Sequence, residues 1–446
     1  MVGYKCGIRA RSLCMLFLLA LLLVSCSSTD TPTTDTETAT DTAEHAVTSP
    51  ETVHAAPETP PVTFDGAAVR VLCEENGTSS DLYFSEEDVS VRSHAAHARD
   101  AAIEQKHDLT ISYEVATDVF STLERSHASD DAPHAVYASG SGGMSDLMLY
   151  GYLGDIGDFA DRYTGMSASA LRQLSINGSL YVMTGTPIRT AVSSTVVLGY
   201  SRRTLREYGF GEDYIERLTD DGMWTHDAMH IIAKVCAVDA VSADADSLYY
   251  LWQGMGATTV EKLPGDVPSI SVYSPRNVYL FTHVHDYHSD ASYHADGMDA
   301  LFTIDMISRV GETLGSDISI APLPAYEEGG EYICTVRFAD TFFTAIPAGH
   351  VGDELSLSYL DALYSESVDT VYTETLREYA YGNSRMLDVI LRARYFDLLD
   401  MYGIGHILRS AFAPDTDTGD FDSLLAERAE FAERALDITL GQTLKN

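Results

Sequence analysis

The sequence predicts an α/β body with parallel strands, and three observations carry that expectation. The first is alternation. Ala68–Cys73 reads as a strand, Val89–His107 as a helix and Leu109–Val115 as a second strand. The second is the short apolar run His134–Ala138, which meets Ser139-Gly140-Ser141-Gly142-Gly143 and then a helical pattern. Strand, glycine turn and helix in succession are the units of an αβ layer. The third is composition: 45% hydrophobic and 10% aromatic residues in a 446-residue chain are enough for sizeable cores. Loops at the carboxyl ends of parallel strands are where ligands usually sit, so the glycine turn is expected at a cleft rim. It lacks the Gly-Lys-Ser/Thr ending of a phosphate loop.

The segment ahead of this body has a different composition. Lys5, Arg9 and Arg11 precede an apolar run from Leu13 to Val24. About 12 residues are too few to span a bilayer and suit a signal-peptide core. Leu23-Val24-Ser25-Cys26 resembles a bacterial lipobox, which implies cleavage before Cys26 and a diacylglyceryl group on its sulfur. Residues 1–25 are thus expected as a leader and 26–61 as an acidic, Thr/Pro-rich tether. That stretch has almost no large apolar residues with which to offset the entropy of ordering. The formal charge of −39 becomes more negative once the leader's three basic residues are gone. Such a charge excludes nucleic acid, which needs basic surface. Cys73, Cys236 and Cys334 are far apart and odd in number, and read as buried thiols.

Further elements follow in order. Leu180–Met183 after the Asn177-Gly178 turn and Thr195–Tyr200 read as strands, and Arg202–Tyr208 as a helix. Thr225 is a good N-cap and Asp227 suits a first turn, with Met229, Ile232, Ala233 and Cys236 at helical spacing behind them. Ile270–Tyr273 reads as a strand and Met298–Leu314 as a helix. Ile318–Leu323, Tyr332–Phe338 and Phe342–Ile346 are expected strands. Asp353–Tyr364, Met386–Leu399 and Leu424–Ile438 are expected helices. There is no internal repeat.

Six stretches, taken together in this order, resemble the larger extracellular solute-binding proteins of ABC importers, the family that includes maltose-binding protein. They are Ser175–Tyr181 (a "dGklY" strand), Val196–Leu205 (a segment crossing between lobes) and Gly222–Asp227 ("GkWTwd"). Gly297–Phe302 ("GxxLF"), Ile320–Tyr326 ("iaPlPky") and Met386–Ile390 ("MLDiI") complete them. The resemblance implies a two-lobed periplasmic-binding-protein-like fold with crossing strands and a ligand cleft that closes like a hinge. Lobe one would comprise 62–190 and 317–366, lobe two 191–316 and 367–446. It implies a monomeric, lipid-anchored protein on the outer face of the cytoplasmic membrane, passing a carbohydrate to ABC permease subunits. The sequence departs from the family in two places. Tyr200-Ser201 stands where Asn-Lys is usual, and Asp161–Leu174 holds no paired tryptophan.

Tyr249, Tyr250 and Trp252 fall where maltose-binding relatives carry a Tyr-Phe-Thr-Trp stretch, so Tyr249 and Trp252 are expected to line the solute site. Aromatic faces suit the C–H faces of sugars. Tyr181, Ser141 on the glycine turn, Asp340 and Arg337 are the other expected contacts, the last two as clamps on hydroxyls. Trp224 sits at a staple-like position and reads as core. His283, His285 and His288, with Asp286 among them, have ligand-like spacing, but a polar loop collects such residues easily and no metal or cofactor is expected. With neither a G-x-S-x-G elbow nor an HExxH motif, no enzyme is expected. A secreted glycan hydrolase and a sensor that has lost transport are the alternatives.

Overall fold

The computed structural model describes most of residues 61–443; the longest stretches outside the description are 76–81, 262–267 and 413–420. Residues 1–60, with the expected leader, Cys26 and nearly all of the tether, lie outside the described residues.

Two sheets organise the body. The first begins with β1 (Ala67–Glu74), α1 (Val91–His107), β2 (Leu109–Ala116), α2 (Val119–Ala128) and β3 (Ala135–Ser139). β1 lies between β2 and β3 and runs parallel to both, with Val71 opposite Tyr113 on one side and Ala135 on the other. All five residues of β3 are buried, as a strand covered on both faces must be. Ser90 caps α1 by accepting from the Ser93 amide, and Asp118 caps α2 through the Ser121 amide.

The second sheet contains β4 (Val196–Ser201), β5 (Val241–Ser242), β6 (Tyr293–His294), β7 (Phe302–Met306) and β8 (Ile318–Ala321), in the spatial order β8-β4-β7-β5-β6. β4 is antiparallel to both β7 and β8. Helices α3 (His226–Cys236), α4 (Ala245–Gly254), α5 (Pro275–His288) and α6 (Ile307–Leu314) lie between these strands in the chain. After β8 a short β9 (Cys334–Thr335) leads to β10 (Phe342–Ala345), which returns to the first sheet and pairs antiparallel with β3. The remaining elements used below are α7 (Glu354–Glu366), α8 (Ser384–Arg392), β11 (Arg394–Tyr395, parallel to β9), α9 (Leu398–Met401), α10 (Gly405–Arg409) and α11 (Phe421–Thr443).

Several expectations are corrected. The helix expected over Met298–Leu314 is divided: Phe302–Met306 is a central strand and only Ile307–Leu314 is helical. Phe302, Thr303 and Ile304 are aromatic or β-branched and fit a strand buried between two neighbours. Leu180–Met183 forms no named strand and pairs through an isolated bridge from Met183 to Thr344. Tyr332–Phe338 forms a named strand only at Cys334–Thr335, with an isolated bridge from Val336 to Thr195, and Met386–Leu399 is broken by β11. Ile318–Ala321, assigned by sequence to the first lobe, hydrogen-bonds in the second sheet. Cys73, Cys236 and Cys334 are buried free thiols, as expected.

Candidate functional site

The carboxyl end of β3 runs into the wide Gly140–Met144 turn. Ser139 Oγ accepts from the Gly142 amide at 2.8 Å, and Gly143 has φ 116°, a conformation open to glycine. Side chains are excluded on both flanks of this turn. A Cβ at Gly140 would collide with the Phe338 carbonyl, and one at Gly142 with the Glu74 carboxylate. That carboxylate, at the end of β1, accepts from the Ser139 amide at 2.7 Å. The turn therefore lies directly against the 337–340 segment. Ser141 Oγ donates to the Ala339 carbonyl at 2.8 Å, and the Gly140 amide to Thr341 at 3.0 Å. From the other side, Ser194, two residues before β4, donates its hydroxyl to the Asp340 carbonyl and accepts the Arg337 amide. Residues 337–340 thus lie between an end of the first sheet and the start of the second.

A chain of alternating charges extends from this segment. Arg337 Nε is 2.8 Å from Asp340 Oδ2, and its Nη2 is 3.9 Å from Asp246 in the first turn of α4. Asp246 is 3.6 Å from Arg409, at the end of α10. Arg409 Nη1 donates to Asp400 and to the Tyr250 hydroxyl, both at 3.1 Å. The side chains of Arg337, Asp340 and Asp246 are partly exposed, whereas that of Asp400 is nearly sealed. Burial raises the Asp400 carboxyl to about 7, even with the Arg409 guanidinium opposing the shift. Burial and the Asp400 charge likewise hold the Tyr250 hydroxyl protonated, as a donor or acceptor rather than a phenolate. Guanidinium forks and carboxylates presented in this way can hydrogen-bond paired hydroxyls.

The other expected contacts fall into two groups. Ser141, Arg337 and Asp340 come together at the turn. Tyr181 is half-buried against the core. Tyr249 and Trp252 are corrected: both are fully buried on α4 and neither presents a face to a solute. The Trp252 indole donates to the Asn277 carbonyl at 3.0 Å. The Tyr249 hydroxyl donates to Asp397 at 2.8 Å. Asp397, 1% exposed, also accepts from Gln253, Thr259 and the Leu399 amide, so it anchors a buried polar network and caps α9. Trp224 is core as expected, donating to Pro322 at 2.9 Å.

His283, His285 and His288 are not on a loop. They lie on α5, where His283 and His285, two apart, face different sides of the helix; the side chain of His288 is outside the described residues. Sequence reasoning did not find Asp246, Arg409 or Asp400. They converge from separate helices, and the available signals were Asp244 as the cap of α4 and the capping Asp397 ahead of Asp400.

No family model matches the sequence, and no curated protein matches it. Solved structures do match. The chain is similar to a cyclic alpha-maltosyl-1,6-maltose binding protein from Arthrobacter globiformis, with 13% identity and a TM-score of 0.57 over 84% of this chain and 99% of that one. It is similar to the sugar-binding protein MalE of Xanthomonas citri, with 12% identity and a TM-score of 0.56 over 83% and 97%. It is also similar to the galacto-N-biose-/lacto-N-biose I-binding protein of a Bifidobacterium longum ABC transporter, with 14% identity and a TM-score of 0.51 over 85% and 98%. The fold is therefore the two-lobed α/β fold of ABC-transporter solute-binding proteins. Among the described residues no helix is long and apolar enough to cross a membrane.

Proposed function

We propose that this chain is an extracellular solute-binding protein that captures a carbohydrate, an oligosaccharide in particular, for an ABC importer. The observation that carries the reading is the fold, which spans 97–99% of the length of neighbours described as binding sugars. The chemistry beside the glycine turn supports it. Arg337, Asp340 and Ser141 offer a planar donor fork, a carboxylate and a hydroxyl at one place, the groups that recognise vicinal hydroxyls. The work is binding and hinged closure of a first lobe built on β1–β3 and β10 over a second built on β4–β8, with no bond made or broken. Cys26 carries the lipid anchor, residues 26–61 form the tether, and the closed form docks on the permease.

The test is calorimetry and thermal melting of the tag-free chain from Ser27 with malto-oligosaccharides, cyclic glucans and lacto-N-biose. Ligand at 100 times its Kd stabilises by about 2.7 kcal/mol, a rise of a few degrees in a chain this long. One sugar class is expected to give that rise, and Arg337→Ala to weaken it at least tenfold with the fold intact. Absence of binding to any sugar overturns the carbohydrate reading. Labelled fatty acid entering the native chain but not Cys26→Ser tests the anchor separately.

A further inference from the structure

We infer that His226, Asp227 and His283 form a binding site for a divalent transition-metal ion of the zinc class, separate from the solute site. His226 and Asp227 open α3, while His283 comes from α5, so the three donors are fixed by two different helices. His226 Nδ1 lies 3.3 Å from His283 Nε2, and that same Nε2 lies 3.7 Å from Asp227 Oδ1. All three donor atoms fall within 4.8 Å of one another. Metal–nitrogen bonds of about 2.0–2.1 Å at tetrahedral angles place neighbouring donors about 3.4 Å apart, close to both distances from His283 Nε2.

The donor chemistry agrees with the geometry: imidazole nitrogens are zinc-class ligands, the His226 ring is fully buried and the His283 ring is largely so. Asp227 supplies the anionic ligand and offsets the positive end of α3. The set is two nitrogens and one oxygen, which suits zinc, nickel or copper and not calcium or magnesium. The Asp227 side chain is 63% accessible, so the cluster is open to solvent on that side. Around it, Tyr279 stacks on His283 and Tyr326 meets the same ring edge-on, their hydroxyls 3.1 Å apart. These rings fix the His283 imidazole from two sides, as outer-shell groups do around metal ligands. The strongly negative chain concentrates cations near its surface.

A second group, His134, His350 and Asp353, is a useful contrast. There one nitrogen of each ring is held by the backbone, His134 Nδ1 accepting the Arg70 amide at 3.1 Å and His350 Nε2 lying 3.2 Å from the Ala132 carbonyl, whereas at His226 and His283 the two ring nitrogens face each other at 3.3 Å.

The experiment is titration of the tag-free chain from Ser27 with Co²⁺, read by its visible d–d bands, and with Zn²⁺ by calorimetry and competition. One equivalent per chain is expected. Asp227→Asn and His283→Gln should each weaken it by roughly tenfold or more, while His285→Ala and His350→Ala leave it unchanged. Circular dichroism checks folding; Asp227, being exposed, keeps the test valid if His283→Gln does not fold. No stoichiometric binding up to about millimolar metal overturns the proposal. So does binding that survives both ligand variants, or binding lost with His350→Ala, which would move the ion to the second cluster.

Discussion

Replacing Asp397 with alanine should destabilise the chain by about 3–5 kcal/mol without removing any group from the solute site. Asp397 is 1% exposed and accepts from Tyr249 at 2.8 Å, Gln253 at 2.6 Å, Thr259 at 2.7 Å and the Leu399 amide at 3.0 Å. Gln253 Nε2 retains a second partner in the Tyr249 oxygen. The Tyr249 and Thr259 hydroxyls are then the buried donors left without an acceptor, at about 1–3 kcal/mol each. Loss of the α9 cap adds about 1 kcal/mol, and a water admitted into the vacated volume returns part of the total. Asp397→Asn, which keeps one acceptor oxygen, should cost about 1–3 kcal/mol, and Tyr249→Phe about 1 kcal/mol. The assay is urea unfolding followed by tryptophan emission. Trp224 and Trp252 are the chain's two tryptophans, and both are fully buried in the native state. A midpoint shift at constant slope gives the free energy directly. An Asp397→Ala chain within about 1 kcal/mol of the parent would refute the reasoning. A Tyr249→Phe chain of parental stability that no longer binds its solute would place that ring in the cleft instead of the core.

Three further outcomes follow from the same geometry. Asp400 is raised to about 7 in the folded state, above its unfolded value, so between about pH 4 and 7 the folded chain holds the extra proton. Its contribution therefore falls as pH rises through that window, and Asp400→Asn should flatten this part of the stability–pH curve. His226 is shifted the other way, held neutral by burial, so its contribution is present above about pH 6.5 and is lost on acidification; melts below pH 6 should show the loss, and His226→Gln should reduce it. Gly143→Ala forces a side chain into φ 116° and should cost about 1–2 kcal/mol; an unchanged melting temperature would mean that the turn relaxes freely.

Local signals made much of the fold legible. β1 is largely apolar and β2 alternates apolar and polar residues, α3 begins where Thr225 caps it, and α7 begins at Asp353. Elements whose character is set by distant neighbours were less legible. Phe302–Met306 carries a pattern compatible with a helix and becomes a strand because β4 and β5 flank it. The residues of α4 are all buried from Ser247 onward, so no periodic polar face marks the helix. The site divides in the same way. That Arg337, Asp340 and Ser141 lie together was within reach, because they flank recognisable strand and turn motifs. Asp246, Asp400 and Arg409 meet only through tertiary packing. Tyr249 and Trp252 invited a binding role, and their polar atoms face Asp397 and Asn277 within the core.

The return of β10 to β3 imposes an order on biogenesis. β3 ends at Ser139 and its antiparallel partner begins at Phe342, so one edge of the first sheet stays without its partner while about 200 further residues are made. Wherever the first sheet forms before those residues are in place, it carries an apolar strand edge open to pairing with other chains. The second sheet has a shorter wait, because β8 begins at Ile318 and its partner β4 ends only at Ser201. The late strand thus acts as a timing element, and a chain truncated before Phe342 would be left with an adhesive edge.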